Sequence, residues 1–298
     1  MNFDYGNVLS RAAQITWKYK VLWVLLALPI LLSFLLIPFF IAPIFLLAGS
    51  DAGSTSETMN IVFTIGFLLL FLIVLIGNFV LGAISTSSVT LAIVRAERGQ
   101  GSLNFISLLR DSLPYFGRVL IAILIINLTL GLVFSIFFLF VFVSSIVTMG
   151  LASLCLQPII ILLTPLMFVV IGVMEAAQTA IIADNLSAMD AIKRAIEIVR
   201  ANIWKYVLIA LIVYFGSTIL SSFIMMPLIV PIFVVPFMID SGREMNTQMM
   251  ILISITFACV FFPLMTLFSS IIGTFMKASL DITYLRLANS NETKIIPE

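Results

Sequence analysis

The chain has no histidine, two cysteines, and charged side chains at only 10% of its 298 positions. Each shortage removes a class of chemistry. Without histidine there is no imidazole to activate a serine or cysteine nucleophile, and the commonest nitrogen ligand for zinc is missing. Cys155 and Cys259 stand alone in apolar surroundings, which indicates neither a thiolate metal site nor a disulfide framework. There is no phosphate-binding Gly-Lys loop and no spaced carboxylate pair with a supporting base. The polar connections are too short to hold a soluble catalytic domain. The expectation is a protein that is not an enzyme, with no cofactor, no metal and no nucleic-acid partner.

What the sequence has in quantity is hydrocarbon. Hydrophobic residues make up 62% of the chain, and they are gathered into long stretches almost free of charge. At about 1.5 Å of helix rise per residue, such stretches cross roughly 30 Å of bilayer core. The pattern predicts an all-α integral membrane protein with six transmembrane helices, at 21–48, 60–94, 117–148, 153–183, 203–239 and 248–286. The first span is read as retained: the apolar run from Val21 to Ala48 exceeds a signal-peptide core, and an amphipathic segment precedes it.

The formal net charge of +1 conceals an asymmetry. Apart from Arg243, the basic residues lie in the N-terminal segment, in two internal segments around 95–118 and 193–205, and toward the C-terminus. The connections around 49–59 and 148–153 have none. Positive-inside bias then places both termini in the cytoplasm.

A repeat emerges when the segments entering the first, third and fifth spans are compared. Asp4 to Trp17 puts Val8, Ala12 and Ile15 on one face and Arg11, Gln14 and Lys18 on another. Asn104 to Leu113 is a second such helix, expected to stop before Pro114. The third starts at a capping box, Ser187 with Asp190, and sets Met189, Ile192, Ile196 and Val199 opposite Lys193, Glu197 and Arg200. Aromatic rings and cations follow each: Trp17-Lys-Tyr-Lys, Tyr115-Phe-Gly-Arg, Ile203-Trp-Lys-Tyr. The expected headgroup-level anchors are Arg11, Trp17, Lys20, Arg110, Arg118, Lys193, Trp204 and Lys205. Gly82, Gly172 and Gly273 then mark matching points in the second, fourth and sixth spans. The expected organisation is a single membrane domain, 1–286, made of three parallel repeats (4–94, 103–183 and 187–286), each an interfacial helix plus a transmembrane hairpin. Residues 287–298 are expected as a cytoplasmic tail.

The pattern Asp4-Tyr-Gly-Asn-Val-Leu-Ser-Arg-Ala, with Thr16-Trp-Lys-Tyr-Lys-Val-Leu-Trp and its echo Ala191-Ile-Lys-Arg-Ala and Ile203-Trp-Lys-Tyr, carries a resemblance. It resembles bacterial six-span proteins similar to the membrane domain attached to some glycerophosphodiester phosphodiesterases. The resemblance implies a bacterial inner membrane. It does not carry the phosphodiesterase activity, which would need histidine and acidic residues in a soluble domain that this chain has no room for.

Polar residues inside the spans concentrate just after the repeated glycines. The candidate polar cluster is Ser85, Ser88, Glu175, Gln178, Lys277 and Asp281. Glu175 lies nine residues before Asp184, about 13 Å inside the end of its span, and must find a partner or a proton. Lys277 is the candidate partner. The competing readings are that Lys277 snorkels or pairs with Asp281 one turn on, and that the serines satisfy themselves on the backbone. Small residues four apart, Gly82 with Thr86 and Gly172 with Ala176, suggest close helix approach. Pro29, Pro38 and Pro43 in the first span, and Pro227, Pro231 and Pro236 in the fifth, suggest kinks. Two functions fit: a scaffold or accessory subunit packing against membrane lipids and partner membrane proteins, or a transporter or channel for a small polar solute with its site near Glu175 and Lys277.

Overall fold

A computed structural model describes residues 3–34, 57–100, 103–240 and 247–295, and every regular element among them is an α-helix. The helices are α1 (Tyr5–Lys18), α2 (Val21–Ser33), α3 (Glu57–Glu97), α4 (Phe105–Val147), α5 (Leu151–Ala183), α6 (Ala188–Ala201), α7 (Ile203–Asp240) and α8 (Thr247–Ile295). Five of them contain described stretches long and apolar enough to cross a membrane, and the bent pair α1–α2 would make a sixth span. Pro38, Pro43, the expected connection around Ser54 and Arg243 lie outside the described residues.

Local chemistry sets the entry helices. Asp4 caps α1 by accepting the Asn7 N–H at 3.0 Å. Ser187 caps α6, accepting the Asp190 N–H at 3.3 Å, and the Asp190 carboxylate accepts the serine hydroxyl at 2.6 Å. Asn104 occupies the same extended N-cap position ahead of α4, without a side-chain cap bond. Counting from these caps, the fourth and eighth residues are buried in each case: Val8 and Ala12, Leu108 and Ser112, Ala191 and Ala195.

The first entry helix turns 80° relative to α2. The corner is held by the Trp23 indole, which donates to the Thr16 carbonyl at 2.9 Å, and by an edge-to-face contact of Trp17 with Trp23 at 5.5 Å. The second entry helix departs from expectation, because α4 passes through Pro114 without a break. At the tenth position of the helix, Pro114 removes the bond to the Arg110 carbonyl and crowds it, which costs about 3 kcal/mol, and the buried residues on both sides of it, Leu108, Ser112, Val119 and Ala122, hold the two parts in line. At 43 residues α4 is roughly 65 Å long, about twice the hydrocarbon thickness. The third entry helix parts from its span at a single residue, Asn202.

Two further expectations need correction. α6 buries Ala188, Ala191, Ala195, Ile198 and Val199, while Met189 and Ile196 are exposed. The alanine stripe lets α6 approach α5 closely, leaving the larger side chains on the outer side. The expected tail also begins too early: α8 continues to Ile295, with Leu287 and Ala288 packed into the core cluster containing Ile181 and Ala191.

The helices arrange in a ring with a centre. α2 packs on α3, α3 on α4, α4 on α5, α5 on α7, α7 on α8, and α8 back on α2. Inside the ring, α3, α5 and α8 all touch one another. The entry helices follow the same cycle, with α1 on α8 and α6 on α5, and the start of α4 lies against α3 through Ser88–Ser112 and Arg95–Asp111. Three stretches are buried without interruption: Ser87–Val94, Ala176–Ile182 and Lys277–Tyr284. Each starts four or five residues after Gly82, Gly172 or Gly273. The outer parts of the peripheral helices instead present apolar surface, including Leu128, Leu132, Ile136 and Val147 on α4.

Candidate functional site

The central triangle of α3, α5 and α8 brings the intramembrane charges together. Lys277 Nζ lies 2.5 Å from Glu175 Oε2 and donates to Gln178 Oε1 at 2.8 Å. The lysine side chain is 5% exposed and the glutamate 14%. The ammonium therefore turns inward rather than snorkelling, which four flexible methylenes would otherwise allow. Asp281, fully buried one helical turn beyond Lys277, accepts the Thr179 hydroxyl on Oδ1 at 2.8 Å. Thr179 also bonds the Glu175 carbonyl at 2.9 Å, so one side chain ties the backbone of α5 to the carboxylate of α8.

The helices deliver these groups for a geometric reason. Glu175, Gln178 and Thr179 sit at i, i+3 and i+4, one face of α5, while Lys277 and Asp281 sit at i and i+4 on the facing side of α8. The two cluster halves thus meet each other instead of lipid. An isolated charge at this depth is unfavourable by about 2.5–3.5 kcal/mol on insertion scales.

Ser85 and Ser88 do not join them. Ser85 donates to the Leu25 carbonyl of α2. Ser88 bonds the Ile84 carbonyl at 2.8 Å and meets the Ser112 hydroxyl of α4 at 2.7 Å. Thr90 faces the cluster instead and lies beside Asp281. At about 100° per residue, Thr90 is roughly 200° around the helix from Ser88, on the opposite side. Tyr206 of α7 was also not anticipated; it is fully buried and interacts with Asp281 and Tyr284. Its ring lies against Gly172, where an added Cβ would stand 3.1 Å from Cδ1. Gly172 is thus a close-approach glycine. Gly82 has open space around its Cα, and the tight contact on α3 is at Gly77, where a Cβ would come 2.7 Å from Leu32.

Around the cluster, cations staple the helix ends. Arg11 pairs with Glu97 at 2.8 Å and Arg95 with Asp111 at 2.7 Å. Arg286 bonds Asn7 at 2.9 Å, and Tyr284 donates to Asp184 at 2.6 Å. Several expected anchors turn onto protein. Arg118 reaches the Leu186 carbonyl at 3.0 Å and the Asn185 side chain at 2.9 Å, and Lys205 bonds Asn202 at 2.8 Å. Lys20, Arg110 and Lys193 are exposed, and Trp17 and Trp204 are 63% and 80% exposed. A cleft of about 580 Å³ opens beside Arg11, Gln14, Trp17 and Lys18, and an apolar cleft of about 300 Å³ lies between α1, α7 and α8. Neither is lined by Glu175 or Lys277.

Fold and site together define a class: an all-α protein with five to six helices able to cross a membrane, carrying a buried ion-paired cluster at its centre. No known protein family, curated protein or solved structure matches the chain.

Proposed function

We propose that this chain is a non-enzymatic polytopic membrane protein, a scaffold or accessory subunit that packs against lipids and partner membrane proteins. In this reading both termini are cytoplasmic, three hairpin repeats surround a pseudo-threefold axis, and the membrane is a bacterial inner membrane, as the resemblance in the N-terminal motif implies. The observation that carries it is the continuous burial of Ser87–Val94, Ala176–Ile182 and Lys277–Tyr284 against one another. Three helix segments buried on every side form a plug, whereas transport needs a cavity that reaches the polar level from at least one face. The exposed apolar flanks of α4 and α7 supply the surface for lipid and partner helices.

The test is solvent access to the plug. A single cysteine at position 178, in a background with Cys155 and Cys259 replaced by serine, is treated in membrane vesicles with a membrane-impermeant thiol reagent from each side. The scaffold reading expects no labelling from either side until the protein is unfolded. Labelling of the folded protein would instead establish an aqueous path to Lys277 and favour a transporter or channel for a small polar solute.

A further inference from the structure

Three buried polar atoms have no hydrogen-bond partner among the described residues: Thr90 Oγ1, the Tyr206 hydroxyl and Asp281 Oδ2. They come from three different helices, α3, α7 and α8, and all three residues are 0% exposed. Thr90 lies close enough to Asp281 to lend its carboxylate a weak hydrogen bond short of full geometry, and the Tyr206 hydroxyl feels the Asp281 charge. Native interiors rarely leave one such atom unpaired, and three in one place mark a site.

The charge count agrees. Asp281 meets or feels Thr90 from α3, Glu175 and Thr179 from α5, Tyr206 from α7, and Lys277 from its own helix. With all three ionisable partners charged, Glu175, Asp281 and Lys277 sum to −1. The single ammonium is already committed to Glu175 and Gln178. Asp281 keeps one oxygen bonded to Thr179, while the other, near Thr90, has no bond of full geometry. A fully buried carboxylate in this position needs one positive charge.

We propose that Asp281, Thr90 and Tyr206 form a binding site for one monovalent cation, a proton or Na⁺, at the centre of the bundle. The donor set is one carboxylate and two hydroxyl oxygens, with the Thr179 hydroxyl alongside: hard ligands that suit such a cation and not a soft metal. A divalent ion would overshoot the charge. A proton on Oδ2 is shared with a neighbouring hydroxyl oxygen, and Na⁺ is held by the oxygens directly. The site does not depend on the scaffold reading, since a resident ion serves a static bundle and a transporter alike.

The full chain is purified in lipid nanodiscs as wild type, Asp281→Asn and Thr90→Val. Thermal unfolding is followed in NaCl and in choline chloride at equal ionic strength, and infrared spectra of wild type and Asp281→Asn are subtracted. For Na⁺, the Tm of the wild type rises by several degrees in NaCl, the rise disappears in Asp281→Asn, and Thr90→Val shrinks it. For a proton, Tm is indifferent to Na⁺ and the difference spectrum shows the C=O band of a neutral carboxylic acid, lost with Asp281. The proposal is overturned if wild type shows neither signal, or if either signal persists in Asp281→Asn. Should Asp281→Asn fail to fold, the wild-type Na⁺ comparison and Thr90→Val decide for Na⁺, and the wild-type carboxylic band with its response in Thr90→Val decides for the proton.

Discussion

Removing Lys277 should cost the protein more than removing its partner Glu175. The cluster holds two carboxylates and one ammonium, with Lys277 2.5 Å from Glu175 and 2.8 Å from Gln178. Glu175→Gln leaves the ammonium two neutral amide acceptors and Asp281 one turn away, so the cost is about 1.5–3 kcal/mol, the worth of a hydrogen bond to a charged group. Lys277→Met leaves Glu175 without its ammonium, the situation in which breaking a buried pair costs about 3–5 kcal/mol. In the double variant one carboxylate goes with the ammonium, so its cost falls below the sum of the singles by at least about 1 kcal/mol. Reversible unfolding in mixed micelles, titrated with a denaturing detergent, measures all four corners of the cycle. Strict additivity would defeat the pairing, and a larger cost for Glu175→Gln than for Lys277→Met would defeat the charge count.

Three other outcomes follow from the same geometry. Gly172→Ala should lower stability by about 1–2 kcal/mol, because the buried Tyr206 ring has to yield at a contact of 3.1 Å, whereas Gly82→Ala, in open space, should be neutral or gain up to about 1 kcal/mol of helix propensity; a thermal melt with the opposite order refutes the packing. Arg118→Ala removes the bonds to Asn185 and Leu186, so amide exchange should quicken locally around 184–190 while global stability shifts by less than about 1 kcal/mol; unchanged exchange there would show that the contact does not hold the turn. Reporters fused after Glu298 and inserted near Gln100 should read cytoplasmic and one near Ser54 the opposite side, and the reverse pattern overturns the orientation.

The sequence carried most of the helix map because its signal is physical length. Apolar runs above 20 residues have few uses outside a bilayer, and the observed ends of α3, α5 and α7, with the C-terminal end of α4, fall close to the expected spans. It also carried Glu175 and Lys277, since ionisable residues deep in apolar helices must meet. What it did not carry was rotation. Ser85, Ser88 and Thr90 are near neighbours in sequence, yet only knowledge of which side of α3 faces α8 separates Thr90 from the serines. The same ambiguity misplaced the inner face of α6, where alanines at i, i+3 and i+7 compete with larger residues that hydropathy ranks higher. Pro114 misled for a different reason: packing on both sides of it carries the helix across a residue that local propensity would break at, and pattern alone does not reveal that packing.

The central triangle is built from three stretches that each follow a glycine, and their chemistry differs. Three residues after the repeated glycine stand Ser85, Glu175 and Met276; four after it, Thr86, Ala176 and Lys277; eight after it, Thr90, Ala180 and Asp281. A purely apolar centre would pack as well and hold as firmly, since a buried ion pair is often no more stabilising than hydrophobic residues of the same volume. Apolar helix faces resemble one another, however, and an all-apolar centre would let the helices trade places or slip by a turn with little change in energy. A lysine present only on α8 and a carboxylate pair split between α5 and α8 remove that degeneracy, because any other order or register leaves a charge facing lipid or alanine. The charged cluster thus specifies one arrangement out of several that the apolar residues alone would tolerate, and it does so at the level where the three buried stretches meet.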